Sequence, residues 1–322
     1  MKRFGFILLS LFFALTSAQA SIYQIIVYTG YSNGQKLRIE GRVTQQREQP
    51  TASISDSSQK NLKRNLRQFF NKEGERWPLT LSVDKFHFQT QTDDEGYFRI
   101  DEKVSETLPE GWQPVSSKSK EASGVGQVLV IPPENTRGLI SDIDDTILIS
   151  EVLSKRRLLK NTFLKNSAQR QAVPGMARLY ADVANSNAKP DAAPLFYLSG
   201  SPRQLYVSLT QFLQHNHFPP GVLITKRVSR GKASDSWFNQ LDYKTKKIQE
   251  IFECLPHVRF ILVGDDGERD PEIYDGIQKR FPDRVEAIWI RRVHPNPQRP
   301  RFENQLDLAD VLKSASPQTD SP

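Results

Sequence analysis

From about Leu129 onward the chain is built on short, uninterrupted apolar runs separated by helical patterns: Gly138 to Ile140, Leu195 to Leu198, Arg259 to Val263 and Val285 to Ile290. Continuous rather than alternating runs are what strands need when both faces of a parallel sheet are covered. Strand, helix and strand in succession predict repeated β-α-β units. In an open sheet of this kind ligands bind beyond the carboxyl ends of the strands. The residues directly after each run therefore carry the functional information.

Those residues are acids and hydroxyls. Asp142, Asp144 and Thr146 follow the first run, Ser199, Gly200 and Ser201 the second, and Gly264, Asp265, Asp266 and then Asp270 the third. Three strand ends thus deliver carboxylates and hydroxyls to one edge of the predicted sheet. Converging carboxylates raise each other's pKa unless a hard cation is present. Magnesium, which takes oxygen ligands and retains waters, suits such a set. A calcium loop of the EF-hand type is excluded, because Ile147 stands where glycine is needed and Leu153 where the bidentate glutamate belongs.

The stretch LDYKTKKIQEIFECL adds a cation. Leu241, Ile248, Ile251, Phe252 and Leu255 form its apolar face, Lys244 lies one turn before Ile248 on that face, and Lys246 points away. A lysine on a buried face needs an anion, which favours Lys244 over Lys226 and Lys232 as the cation of the site; the plainer alternative is a snorkelling side chain at a helix end. Asp270 precedes Pro271 as a helix N-cap would, and it can also reach a metal. Ser201 before Pro202 reads the same way, beside a helix N-terminus able to hold phosphate. His215 and His217 flank a helix end and are expected at the surface.

The first part of the chain has a different texture. Leu37 to Ile39 before Gly41, Leu79 to Val83 and Phe86 to Phe88 read as half-buried strands, which we assign to a small β-sandwich over 21–130. TDDEGYF, Thr92 to Phe98, reads as a hairpin turn whose acids could alternatively bind calcium. NLKRNLRQFFNK, from Asn61, is a basic amphipathic helix, expected to pack on the sheet rather than dock on an anionic membrane. Residues 1–20 have the form of a secretory signal: Lys2 and Arg3, an apolar run to Leu15, then Ala18-Gln19-Ala20. The run is too short to span a bilayer, so export with cleavage, to a periplasm or outside the cell, is expected. Cys254 is the only cysteine, so no internal disulfide is possible. The net charge of +7 favours anionic partners. No base-stacking module accompanies the basic residues, so nucleic acid is not expected. We assign 131–313 to the second domain and 314–322 to an unstructured tail.

The segment Asp142-Ile143-Asp144-Asp145-Thr146 matches D-x-D-x-T at the end of a first strand, and so resembles the haloacid dehalogenase-like phosphatases. Together with FYLSGSPRQLY and VGDDGERDPEIY, in that order behind a β-rich domain, it resembles the phosphatidate phosphatases of the yeast actin-patch type and their bacterial relatives. The resemblance implies an α/β Rossmann-like catalytic domain and magnesium-dependent hydrolysis of phosphatidate to diacylglycerol. It implies Asp142 as nucleophile, Asp144 as general acid and base, and Ser199 and Lys244 as phosphate-stabilising residues. The metal would be held by Asp142, the Asp144 carbonyl, Asp265 and Asp270, and the substrate by Thr146, Gly200, Ser201 and Arg203. The chain departs from the family at Arg203, where tryptophan is common, at Tyr243, where histidine usually precedes the lysine, and at Asp266, which replaces a small polar residue. The segment Glu151 to Val173, rich in base from Lys155 to Arg170, corresponds by its location to the flap and small cap of such enzymes; its bases form a solvated helix face or, alternatively, bring the protein onto anionic lipid. Two other readings remain open: a phosphatase of a soluble phosphomonoester, and a non-enzymatic module whose acids only hold a cation. The intact set of Asp142, Asp144, Ser199, Lys244 and Asp265 argues against the second.

Overall fold

The computed structural model describes residues 22–45, 56–57, 59–60, 73–149, 170–228, 240–293 and 301–315. The expected signal, the basic helix from Asn61, Lys232 and nearly all of the flap before Arg170 lie outside them.

Two sheets divide the chain. The first contains β1 (Tyr23–Val27), β2 (Gly30–Ser32), β3 (Lys36–Gln45), β4 (Pro78–Val83), β5 (Phe86–Gln91), β6 (Tyr97–Lys103), β7 (Gly111–Lys118) and β8 (Ser123–Val130). Their order is β1-β3-β2-β8-β7-β4-β5, with β6 paired to β3. The region read as a small β-sandwich is thus one hydrogen-bonded sheet around a single apolar core that includes Leu37, Ile39, Leu81, Phe98, Val115 and Val128. Alternate residues of β4 supply that core, Leu79, Leu81 and Val83 being buried between partly exposed neighbours.

Thr92 to Phe98 forms a turn but not a hairpin. Asp93 closes it by accepting the Glu95 and Tyr97 amides at its carboxylate, and Gly96 adopts φ 74°, a conformation cheap only for glycine. The strands it joins then separate, β5 pairing with β4 and β6 with β3. Two of its acids do more than close the turn: Asp93 and Glu95 each lie 2.7 Å from the guanidinium of Arg227 in the second unit.

The second sheet contains β9 (Arg137–Ser141), β10 (Leu195–Pro202), β11 (Val222–Lys226), β12 (Arg259–Asp265), β13 (Val285–Arg291) and β14 (Gln305–Asp307), in the order β11-β10-β9-β12-β13-β14. All neighbours are parallel. The continuous apolar runs have a simple cause, since both faces are covered. Leu139, Leu195, Tyr197, Ile261 and Val263 pack with α1 (Met176–Asn185) and α2 (Tyr206–His215). Their sequence neighbours Ile140, Phe196, Leu198, Phe260 and Leu262 pack on the other side with α3 (Gln240–Cys254) and α4 (Asp270–Arg280). Burying each such side chain contributes about 1.5–3 kcal/mol. Leu241, expected on the apolar face of α3, is instead exposed, because it sits in the first turn before the helix meets the sheet. The chain remains helical past residue 313: α5 (Leu308–Ala315) turns Val311, Leu312 and Ala315 onto the core, so Ser314 and Ala315 do not belong to a tail. Among the described residues no helix is long and apolar enough to cross a membrane.

The two units are joined by specific contacts. Tyr31 presents its ring edge-on to Phe196 at 5.2 Å, Arg38 donates to the Glu250 carbonyl at 2.7 Å, and the Trp112 indole donates to the Asp191 carbonyl at 3.0 Å. Glu40 on β3 pairs with Arg203. Burial alone would raise the Glu40 carboxyl, but Arg203, Lys247 and Arg99 outweigh it and hold the pKa at about 2, against an ordinary 4.5. A carboxyl depressed on folding stabilises the native state above the unfolded pKa, and that contribution is lost as pH falls through the folded value. Wild-type stability should therefore fall between about pH 4.5 and 2 more steeply than that of Glu40→Gln, measured by denaturant unfolding; equal slopes would contradict the pairing.

Candidate active site

The carboxyl edge of the parallel sheet gathers the predicted residues. Asp142 directly follows β9, fixed by donation from its amide to the Val263 carbonyl of β12 at 2.9 Å. Its carboxylate is buried between two donors: Lys244 Nζ lies 3.0 Å from Oδ1 and Thr146 Oγ1 lies 3.0 Å from Oδ2. Asp265 ends β12 and accepts the amides of Gly267 and Glu268 at 2.6 and 3.2 Å. Asp270 opens α4 and accepts from Lys244 at 2.5 Å. Its cap reading fails: Arg269 occupies the N-cap and Asp270 lies inside the helix, its carboxylate turned to Lys244. Lys244 is fully buried and Lys246 exposed, as the helical spacing requires, while Lys226 lies over the Tyr243 ring at 5.4 Å.

Asp144, two residues beyond Asp142, faces the opposite wall. Asp145 adopts φ 59°, and the loop closes with amides of Thr146, Ile147 and Leu148 donating to the Ile143 carbonyl. This turn directs the Asp144 carboxylate to the hydroxyls of Ser199 and Ser201, at 3.0 and 2.9 Å. Ser201 is thus a partner of Asp144 rather than a helix cap. Gly200 lies between the two serines. His215 and His217 are exposed.

Arg203 is not part of this cluster. Its Nε donates to the Thr225 carbonyl, its guanidinium pairs with Glu40, and it lies over the rings of Tyr28 and Tyr97 at 5.6 and 5.4 Å. The substrate-binding role expected of it is therefore replaced by a place in the junction between the units. Asp266 likewise turns from the cluster and accepts the Val293 amide at 2.7 Å.

Two cations were not singled out from sequence. Arg170 is buried where the flap returns, next to the pairing of Leu148 with Ala172; burial lowers its pKa and the Asp144 charge opposes this. Arg291, the last residue of β13, donates to the Asp145 carbonyl at 2.5 Å. Its position directly after the fourth apolar run was the available signal. Arg170 was concealed among the flap's many bases.

Electrostatics make the cluster demanding. Burial, with Asp270 and Asp265 adding to it and Lys244 opposing, pushes the Asp142 carboxyl well above the usual carboxylate range. Burial and then Asp270 do the same to Asp265. Burial would lower the Lys244 ammonium, but Asp142 and Asp270 raise it further, so it stays charged. Asp142, Asp265 and Asp270 each place one oxygen within 4.8 Å of the others, an all-oxygen set able to hold a hard metal ion. Gly264 makes this possible: a Cβ there would lie 2.5 Å from Asp270 Oδ2 and 2.6 Å from its Cβ. Gly264→Ala should displace Asp270 and weaken metal binding at least tenfold by calorimetric titration; unchanged affinity would remove Asp270 from the metal site.

Three buried carboxylates, two of them sharing Lys244, thus meet at the carboxyl edge of a parallel sheet in an arrangement able to hold a cation. Residues 137–292 match the family described as phosphatidate phosphatase APP1, catalytic domain. The chain is 37% identical over 158 residues to phosphatidate phosphatase APP1 of Saccharomyces cerevisiae, covering 48% of this chain and 25% of that protein. It is 26% identical over 246 residues to an uncharacterized protein of Schizosaccharomyces pombe, covering 73% of this chain and 37% of that one. The chain therefore spans well under half the length of these curated relatives. Among solved structures, a carbohydrate acetylesterase from Xanthomonas citri overlaps 88% of this chain and 70% of its own at 8% identity and a TM-score of 0.30. The structure of PhoD overlaps 72% and 44% at 9% identity and 0.31. Overlaps this loose carry no argument about fold or function.

Proposed function

We propose that the protein is a magnesium-dependent phosphatidate phosphatase, with an α/β domain of the haloacid dehalogenase type, that releases diacylglycerol and phosphate. The observation that carries this reading is Asp142, a buried carboxylate aligned by Lys244 and Thr146 at the centre of the acid cluster. Asp142 attacks phosphorus and forms an aspartyl-phosphate while the bond to the glycerol oxygen breaks. Asp144, held by Ser199 and Ser201, gives a proton to that oxygen and then takes one from the water that releases phosphate. Lys244 orients the nucleophile and, with the Ser199 hydroxyl, stabilises charge on the transferring group. Magnesium would be held by Asp142, Asp265, Asp270 and the Asp144 carbonyl, and would supply the positive charge that lets two anions approach.

The same reading takes the protein out of the cytoplasm on the strength of residues 1–20 and brings it to anionic membrane by peripheral contact, which cell fractionation tests. Its chemistry is tested by phosphate release from phosphatidate in mixed micelles and from a small aryl phosphate, each with magnesium or excess chelator. Magnesium-dependent release from phosphatidate is expected. If only the aryl phosphate is cleaved, the lipid assignment falls; if neither reacts, the enzymatic reading falls.

A further inference from the structure

The loop that carries Ser199 and Ser201 is irregular. β10 pairs with β11 in register up to Ser199 and Thr225, then skips to Pro202 and Lys226, so Gly200 and Ser201 bulge out of the ladder. A bulge beside an active site re-aims the side chains it carries, and something must fix its far end. Here Ser201 donates its amide to Ser199 Oγ at 2.9 Å, and both hydroxyls reach Asp144.

The far end is gripped by the first unit. Arg203, one residue past Pro202, pairs with Glu40 of β3, and its Nε ties it to the end of β11 through the Thr225 carbonyl. Its guanidinium is enclosed by Tyr28 and Tyr97. Three residues further on, Tyr206 accepts the Thr29 amide and shares a hydrogen bond with the Thr29 hydroxyl, both at 2.7 Å, and its ring lies 4.6 Å from that of Tyr28. Besides the pairing of Pro202 with Lys226, the Thr225 carbonyl and the burial of Leu205, the residues after the bulge are thus held through Arg203 and Tyr206 by the first unit. A charge-assisted pair whose arginine is buried holds position more firmly than an exposed one.

We propose that Glu40 is a positioning residue for the catalytic serine loop: through Arg203 it fixes the Gly200-Ser201 bulge, and so the hydroxyls that orient Asp144. The first domain is then a working part of the active site, not only an attached module. This rests on the phosphatase reading for its kinetic consequences, while its structural consequence can be read without activity.

The test compares full-length wild type, Glu40→Gln, Arg203→Lys, their double variant and Trp112→Phe. The last breaks a contact between the same two units at the opposite, amino end of β10, where Asp191 accepts from the indole. Hydrogen exchange of the 199–206 segment should become at least about tenfold faster in Glu40→Gln and unchanged in Trp112→Phe. With the small aryl phosphate, kcat should fall about ten- to a hundredfold in Glu40→Gln, with KM within about twofold, because a misplaced group costs rate rather than binding. The double variant should be no worse than the worse single variant, since the two side chains act as one unit. Unchanged exchange in Glu40→Gln overturns the proposal whether or not the protein is active. Equal losses in Glu40→Gln and Trp112→Phe overturn it as well, because they would mean that domain docking alone is being read. A wild type that cleaves neither ester counts against the phosphatase reading, and the exchange result then decides the positioning role by itself.

Discussion

Asp142→Asn should abolish phosphate release, by at least about a thousandfold, while leaving the protein folded. The amide is nearly the same size as the carboxylate: its oxygen can still accept from Lys244, while its NH2 faces Thr146, whose hydroxyl can reverse and accept. It has no negative oxygen with which to attack phosphorus. The substitution also removes one buried negative charge from a cluster in which Asp142, Asp265 and Asp270 crowd together, and it should not lower the melting temperature. Loss of activity with retained or increased stability is therefore the signature expected in a phosphate-release assay paired with thermal unfolding. A variant that retains a tenth of the wild-type rate would exclude Asp142 as the nucleophile.

Lys244→Met should have a large effect of the opposite kind, lowering activity and stability together. Lys244 is fully buried, contacts Asp142 and Asp270, and approaches Glu268 at 3.9 Å. Removing one partner of a buried charge pair leaves the other uncompensated and costs about 3–5 kcal/mol, a fall in melting temperature of roughly 10 °C for a chain of this size. The fall should be larger with chelator than with magnesium, because a bound cation stabilises the native state and offsets the same carboxylates. Activity should fall about a hundredfold or more, as when a preorganised electrostatic partner is removed. A stable, active Lys244→Met protein would show that the lysine only fills space on the inner face of α3.

Lys244 also shows how far the sequence could be read. A 3.6-residue period put it on the inner face of a helix, and a buried ammonium demands anions, so its role followed from periodicity and charge. Asp142, Asp144, Ser199 and Asp265 were legible for a related reason: each lies within a few residues of the end of an apolar run that had to be a buried parallel strand. What was not legible depended on contacts between distant segments. Arg203 looked like a substrate ligand because it follows the serine loop, but Glu40 and two tyrosines of the other sheet claim it. Asp270 looked equally like a cap and a ligand; it lies inside α4 with its carboxylate on Lys244 Nζ, a contact that no local pattern announced. The short strands β11 and β14 were overlooked, since runs of five and three residues at the two opposite edges of the sheet give little periodic signal. Thr92 to Phe98 carried a correct turn signal and a wrong pairing, because local chemistry dictates where a chain bends but not which strand it meets next.

The proposed mechanism turns on covalent phosphorylation of Asp142. The most direct measurement is to quench the enzyme in acid during steady turnover of labelled phosphatidate with magnesium, then locate the label by peptide mapping and its sensitivity to hydroxylamine, the mark of an acyl phosphate. Phosphate is expected on Asp142, lost on hydroxylamine treatment and absent from Asp142→Asn. Steady turnover with phosphate on Ser199 or another side chain, or with no phosphoenzyme at all, would contradict it.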